Sequence, residues 1–293
     1  MELLVSLTKI SILNKLNKDL ADGVIFGHEF SLKYNYSNEE ILRINKICLD
    51  KGLKRYVSID AFVGENDLQT LDSYMFFLTR INPDGIYFSD MAVIEAAKRY
   101  NLVNRLIYDP VTLTTNSNDI DFYLDNGIDV CLARELTLEE IVEIIKEHPY
   151  QLDMQIFGHL RMSYSKRKFL TNYFNEINKD IEYIDKDNLT LVEESRNYKL
   201  PIKETKYGTC IYTDYVLMMY EEYVFLKSLC KRTIVDSEFL DLDVLFDVLR
   251  DARRINPDNS EFLKNAFIQR HPEYTFSTGY LYQKTVNKKE ENE

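Results

Sequence analysis

The side chains of this chain that could do chemistry crowd most densely into one stretch, QIFGHLRMSYSKRKFLTNYF, residues 155–174. Arg161, Lys166, Arg167 and Lys168 bring four positive charges together there. The chain as a whole has 36 Lys plus Arg against 48 Asp plus Glu, a net charge of −12. A field of that sign repels nucleic acid and anionic membranes at long range, so contact with a polyanion needs a local basic patch. The stretch reads as a strand that turns at Gly158 and becomes a helix from Ser163. Arg161, Lys166 and Arg167 then surround a helix N-terminus, where free N–H groups and the dipole favour an anion. Arginine can grip a carboxylate or phosphate with two parallel hydrogen bonds. The competing reading is a surface patch paired with the acidic shell. Basic residues in a first helical turn oppose the dipole, however, and want a counter-anion. On this reading, alanine at Arg161 or Arg167 weakens anion binding and leaves stability nearly unchanged.

Other candidates lie near the ends of apolar runs. They are His28, Glu29, Asp60, Asp90, Asp109, Arg134, Glu135, His159, Asp236 and Glu238. Carboxylates at several such ends could move protons or bind a cation. The candidates for catalysis are Glu135, His159, Ser163, Tyr164 and Asp236. Arg161, Lys166, Arg167, Arg134 and His28 are the candidates for holding an anionic substrate. Each has a structural alternative: Asp90 and Asp236 as helix caps, Arg134 and Glu135 as an internal pair, the histidines as ordinary hydrogen-bonded residues. Ser163 is the obvious serine nucleophile, but it lacks a GxSxG context and no catalytic histidine can be assigned to it. No HExxH or paired-histidine spacing supports a metal.

The elements that must position these residues alternate along the chain. Apolar runs at 2–7, 23–27, 55–60, 85–90, 105–109, 129–135 and 154–158 each precede a helix-like stretch, as at 37–52, 89–101 and 137–148. Thr137 with Glu140 has capping-box spacing. Near-continuous apolar strands are covered on both faces, as in a parallel sheet. Seven such units and an eighth strand at 232–239 predict an α/β fold, a (β/α)8 TIM-like barrel. An open doubly wound sheet would show a glycine-rich turn after its first strand, and LTKIS has none. Residues 180–215 switch to period two and predict a small β-meander inserted between strands 7 and 8. Helices are expected at 163–175, 215–229 and 241–255. Residues 1–285 read as a single barrel domain, and 286–293 as a disordered charged tail.

A 45% hydrophobic composition with 21 Tyr and 16 Phe argues against disorder. No apolar run approaches the roughly 18 residues of a membrane span. The first residues do not read as a signal peptide, so a cytoplasmic protein is expected. Cys48, Cys131, Cys210 and Cys230 are scattered and form no CxxC pair.

The 155–174 stretch resembles the signature of peptidase family U32, the collagenase-like peptidases. Asp153, Gly158 and Leu160 stand at its acidic, glycine and aliphatic positions, Ser163-Tyr164-Ser165 matches a frequent Ser-Tyr-Ser, and Leu170 and Thr171 fit its end. ARELTLEEI (133–141), YKLPIKETKYGTCIYTD (198–214), RTIVDSEF (232–239) and FSTGYLYQKT (276–285) are similar to further family segments in the same order. Arg161 and Lys168 replace the two signature cysteines, and Lys166 a glycine. In family members with an iron–sulfur cluster such cysteines are ligands, and neither a guanidinium nor an ammonium can replace a thiolate. The resemblance therefore implies the shorter, cysteine-free branch, with no cofactor and no cluster. In low-GC bacteria that branch is paired with a longer paralogue. The pair is implicated in 5-hydroxylation of the wobble uridine of tRNA, linked to prephenate. Implied partners are the longer paralogue, tRNA or a small dicarboxylate, with no membrane. The alternative implied by the family label is a collagenase-like peptidase.

Overall fold

The computed structural model describes residues 1–179, 184–193 and 198–283. Seven strands follow one another in parallel: β1 (Glu2–Ser6), β2 (Gly23–Phe26), β3 (Lys54–Ile59), β4 (Gly85–Phe88), β5 (Leu106–Tyr108), β6 (Asp129–Cys131) and β7 (Leu152–Ser165). An antiparallel group interrupts them: β8 (Thr190–Glu193), β9 (Tyr198–Thr205) and β10 (Gly208–Met218). β11 (Arg232–Val235) then inserts between β7 and β1, parallel to both, and closes an eight-stranded barrel. The short β12 (Phe276–Ser277) pairs with β10. The expected (β/α)8 barrel is the fold of this chain.

Local chemistry explains the elements. Strands such as GVIF and GIYF are buried at every position, as strands between a barrel interior and a helix layer must be. The helix Asn38–Lys51 is bounded by a Ser37–Glu40 capping box and by Gly52 at φ +65°. Thr137 and Glu140 cap the helix Leu138–Glu147 in the same way. The lower end of the barrel is plugged by charge. Arg232 Nε lies 2.8 and 2.7 Å from the two oxygens of Asp153, which also accepts from Tyr87 Oη at 2.7 Å. No helix among the described residues is long and apolar enough to cross a membrane.

β7 departs from expectation. It does not end at Gly158. It leaves the barrel there and runs on as one arm of an antiparallel ribbon with β10, pairing His159 with Val216, Arg161 with Tyr212 and Ser165 with Thr209. The helix expected from Ser163 starts only at Phe169. Likewise residues through Met218 are strand, and the helix expected over 215–229 is Tyr220–Leu226. Ladder pairing between two long arms overrides the weak helical pattern of 163–168. The 180–215 insertion is antiparallel as expected, apart from 180–183 and 194–197, which lie outside the described residues together with the expected tail at 286–293.

Gly158 makes the exit possible. Its φ is +113°, and a β-carbon there would stand 2.5 Å from the backbone oxygen of Asp236. Gly158→Ala is expected to lose about 2–3 kcal/mol by combining positive-φ strain with overpacking. Urea unfolding of the two proteins measures it, and an unchanged midpoint would show that β7 can leave the barrel without this glycine.

Candidate functional site

Six strand ends and one loop converge at the upper mouth of the barrel. Ser6 ends β1, Asp60 follows β3, Asp109 follows β5, Arg134 lies beyond β6, Asp236 follows β11, and β7 supplies Gln155 and Arg161. Lys33 comes from the loop after β2. These side chains line a cavity of about 60 Å³. Parallel strands deliver their C-terminal residues to the same rim, which is why residues so distant in sequence meet.

The mouth is built from three ion pairs. Arg161 Nη1 lies 2.5 Å from Asp60 Oδ2, with side chains 13% and 14% exposed. Arg134 holds Asp109 through two nitrogens, one contact at 2.9 Å. Lys33 pairs with Asp236. Two of the three carboxylates are steadied further: Asp60 accepts the Leu32 N–H at 3.0 Å, and Asp236 accepts the Ser6 hydroxyl and the Glu238 N–H, both at 3.0 Å. Burial pushes the Asp60 carboxyl up, but Arg161 and the Leu32 N–H more than reverse this and hold it below its ordinary value. Asp236 is likewise pushed up by burial and held below its ordinary value chiefly by Lys33. Both are therefore carboxylates at neutral pH.

The donors are not used up. Arg161 directs only Nη1 to a partner among the described residues, so its other N–H groups are available. Tyr212, from β10, lines the same cavity at 1% exposure, and its hydroxyl has no hydrogen-bond partner among the described residues. A buried hydroxyl without a partner is costly in a folded protein and marks a place for a ligand or water. The arrangement can orient a small anion by charge-assisted hydrogen bonds from guanidinium and ammonium groups, with Tyr212 supplying a neutral one.

The proposed trio of Arg161, Lys166 and Arg167 does not converge. Arg161 lies on the strand and belongs to the mouth. Lys166 and Arg167 are exposed in the turn before the helix Phe169–Glu176. That helix start already has its anion. Glu204, fully buried, accepts the Leu170 N–H at 2.8 Å and the Thr171 N–H at 3.3 Å, and also the Thr171 hydroxyl. The Phe169 N–H goes to the Thr209 hydroxyl at 3.0 Å. An internal carboxylate thus occupies the position expected for a ligand.

The other candidates divide. Asp60, Asp109, Arg134 and Asp236 are at the mouth. Glu135 is exposed in a turn and does not line it. Asp90 is a cap, accepting the Ala92 N–H at 2.9 Å and the Val63 N–H at 3.0 Å. His159 is buried, its Nδ1 2.8 Å from the Thr213 carbonyl and its ring edge-on to Phe239. Burial holds it below its ordinary pKa, so it is neutral and latches β7 to β10. His28 lies away from the cavity, 3.3 Å from Glu29, and burial lowers its pKa too. Glu29 itself pairs with Lys206 at 2.7 Å. Glu238 holds Lys203 of β9 at 2.7 Å and so ties the ribbon to the barrel. Ser163 is exposed on the ribbon, and among the described residues no hydrogen bond joins it to a histidine or carboxylate. Tyr164 donates to the Tyr207 carbonyl at 3.0 Å.

Lys33, Gln155 and Tyr212 were missed. Lys33 sits in a loop with no motif around it. Tyr212 was legible only as part of the hairpin, and only the β7–β10 register brings it opposite Arg161. Arg161 is committed to Asp60, and all four cysteines are buried, with burial raising the Cys210 thiol to about 11 and the Cys48 and Cys230 thiols to about 12.

Comparison with known proteins agrees with this architecture. A solved U32 peptidase, Mk0906, superposes with a TM-score of 0.50 over 80% of this chain and 92% of its own, at 13% identity, which speaks for the fold alone. The tRNA hydroxylation protein P2 of Bacillus subtilis (strain 168) is 30% identical over 217 residues, 72% of this chain and 70% of that protein. The tRNA hydroxylation protein P1 of the same strain is 29% identical over 158 residues, which span 52% of this chain but only 37% of that relative. The family model described as Peptidase family U32 matches residues 9–221, and the chain belongs to that family.

Proposed function

We propose that this protein is a component of the 5-hydroxylation of wobble uridine in tRNA, acting in the cytoplasm with a longer paralogue, and that its mouth binds a small dicarboxylate of the prephenate kind. The similarity to both a P1 and a P2 tRNA hydroxylation protein supports the pathway. The observation that carries the ligand class is the mouth itself: Lys33, Arg134 and Arg161 ring the cavity, and Tyr212 adds a hydroxyl without a partner among the described residues. A dianion entering there replaces water as the partner of donors that the three aspartates leave unused. No cluster is assigned to this chain, because its thiols and the Arg161 position do not suit one. The peptidase reading has less support, since no hydrogen bond joins Ser163 to a base among the described residues.

Mass spectrometry of tRNA tests the proposal. A strain lacking this gene is expected to lose hydroxylated wobble uridine and to regain it from a plasmid copy. The protein purified from that strain should copurify with the longer paralogue and carry no iron. Unchanged modification in the deletion strain, or gelatin cleavage by the pure protein, overturns the proposal.

A further inference from the structure

Beside the mouth cavity lies a second, wider cleft of about 160 Å³. The two share Asp60, Val111 and Arg161, so the Arg161–Asp60 pair forms the wall between them. The outer cleft differs in chemistry. Its rim carries two large apolar side chains held open to solvent, Phe62 at 46% and Met162 at 47% exposure. The Phe62 ring is set against Tyr164, with centroids 4.8 Å apart and planes at 46°. Tyr164 cannot swing away, because its hydroxyl accepts the Phe62 N–H at 3.3 Å while donating to the Tyr207 carbonyl. Two hydrogen bonds thus hold Tyr164 against the backbone of Phe62 and Tyr207. Thr112 and Ser163 line the same cleft, and neither hydroxyl has a hydrogen bond among the described residues.

Lys166 reaches this aromatic platform, and Arg167 and Lys168 follow it in the chain. Lys166, Arg167 and Lys168 make no ion pair among the described residues, although the chain carries a net charge of −12. Lys166 Nζ reaches back to the loop that bears Phe62, standing 3.0 Å from where a Gly64 β-carbon would be. Exposed aromatic faces beside unpaired cations are how proteins hold single-stranded nucleic acid: bases stack and the cations follow the backbone.

We propose that the outer cleft receives one unstacked base of a single-stranded RNA loop, stacked on Phe62 with Met162 on its flank, and that Lys166, Arg167 and Lys168 hold the adjacent phosphates. This rests on the proposed function for the RNA's identity, a tRNA anticodon loop. Thr112 and Ser163 supply hydrogen bonds to the base edge. Arg161, reaching both cavities, then lies between the base and the small anion of the inner mouth.

Fluorescence anisotropy with the full-length protein and a labelled anticodon stem–loop tests this. Phe62→Ala is expected to weaken binding by about tenfold or more, the range of one lost base–aromatic stack. Phe62→Trp keeps the affinity, and Phe62→Leu falls with alanine, because leucine is apolar but cannot stack. Changing Lys166, Arg167 and Lys168 to glutamate flattens the dependence of log affinity on log salt by up to about 2, at ~0.7 per phosphate contact on a single strand. Thermal melts of all variants should match the parent. Failure of the parent to bind the stem–loop, or a Phe62→Leu variant that binds as the parent does, overturns the inference; the second result marks a surface for an apolar protein partner instead. The two proposals fail separately. If Phe62→Ala loses the RNA but gene deletion leaves tRNA unchanged, the cleft stands and the hydroxylation reading falls. If deletion abolishes modification but Phe62→Ala binds RNA and restores modification fully, the cleft falls and the reading stands.

Discussion

Replacing Arg161 with alanine is expected to lower folding stability by about 3–5 kcal/mol, the range for removing one member of a buried ion pair. The penalty comes from what is left. Asp60 would keep only the Leu32 N–H, a distant serine hydroxyl and the field of Lys33, in a site that buries its carboxylate. Lys166→Ala and Arg167→Ala, both exposed, should change stability by no more than ~0.5 kcal/mol. Urea denaturation of the three variants ranks them directly. A second comparison separates structure from function: Asp60→Leu combined with Arg161→Met removes both charges and should recover most of the stability. If Arg161 also serves the ligand, that double variant folds but does not restore tRNA hydroxylation in a deletion strain. Arg161→Ala melting like the parent would mean that the pair is solvated and the mouth is looser than described.

Glu204→Ala should be comparably severe, at about 3–6 kcal/mol, from two hydrogen bonds to a charged acceptor at ~1.5–3 each. Its carboxylate satisfies the Leu170 and Thr171 N–H groups at the start of a helix whose preceding residue, Lys168, contributes no side-chain cap. The neighbouring Thr209 hydroxyl, 3.0 Å from the same carboxylate, would lose that partner as well. Glu204→Gln keeps the shape and should lose less. Hydrogen exchange localises the effect: amides of 169–176 should exchange much faster in Glu204→Ala, while those of β1–β6 keep their order of protection. Unaltered exchange in the helix would show that water replaces the carboxylate without loss.

The comparison with sequence reasoning follows the same physics. β1–β6 were legible because each carries a short, nearly continuous apolar run, and the capped helices because Ser37, Thr137 and Gly52 are local signals. The strand ends were legible by the barrel rule, which brought Asp60, Asp109, Arg134 and Asp236 forward correctly as neighbours of one rim. β7 was not. Ser163–Lys168 has serines that suit a helix start and a mixed pattern, and only the partner strand β10, some 45 residues on, decides its conformation. The same blindness hid the site's wiring. That Arg161 answers Asp60 rather than Arg167, and that Glu204 answers the helix start, depends on contacts across 101 and 34 residues. Lys33 had no local signal at all.

The closing of β1 against β11 has a consequence for how the protein is made. Glu2 pairs with Arg232, and the Ser6 hydroxyl reaches Asp236, so the first strand finds one of its two neighbours only after some 230 further residues exist. At the usual speed of a ribosome, on the order of 5–20 residues each second, that strand waits for roughly ten to fifty seconds with one edge bare. Contacts of such long sequence separation also slow closure itself. The pairing that sets Asp236 opposite Lys33 is the one that closes the barrel. A nascent chain that has β1–β6 but not yet β11 therefore has no complete mouth, which makes binding competence a late event of its biogenesis.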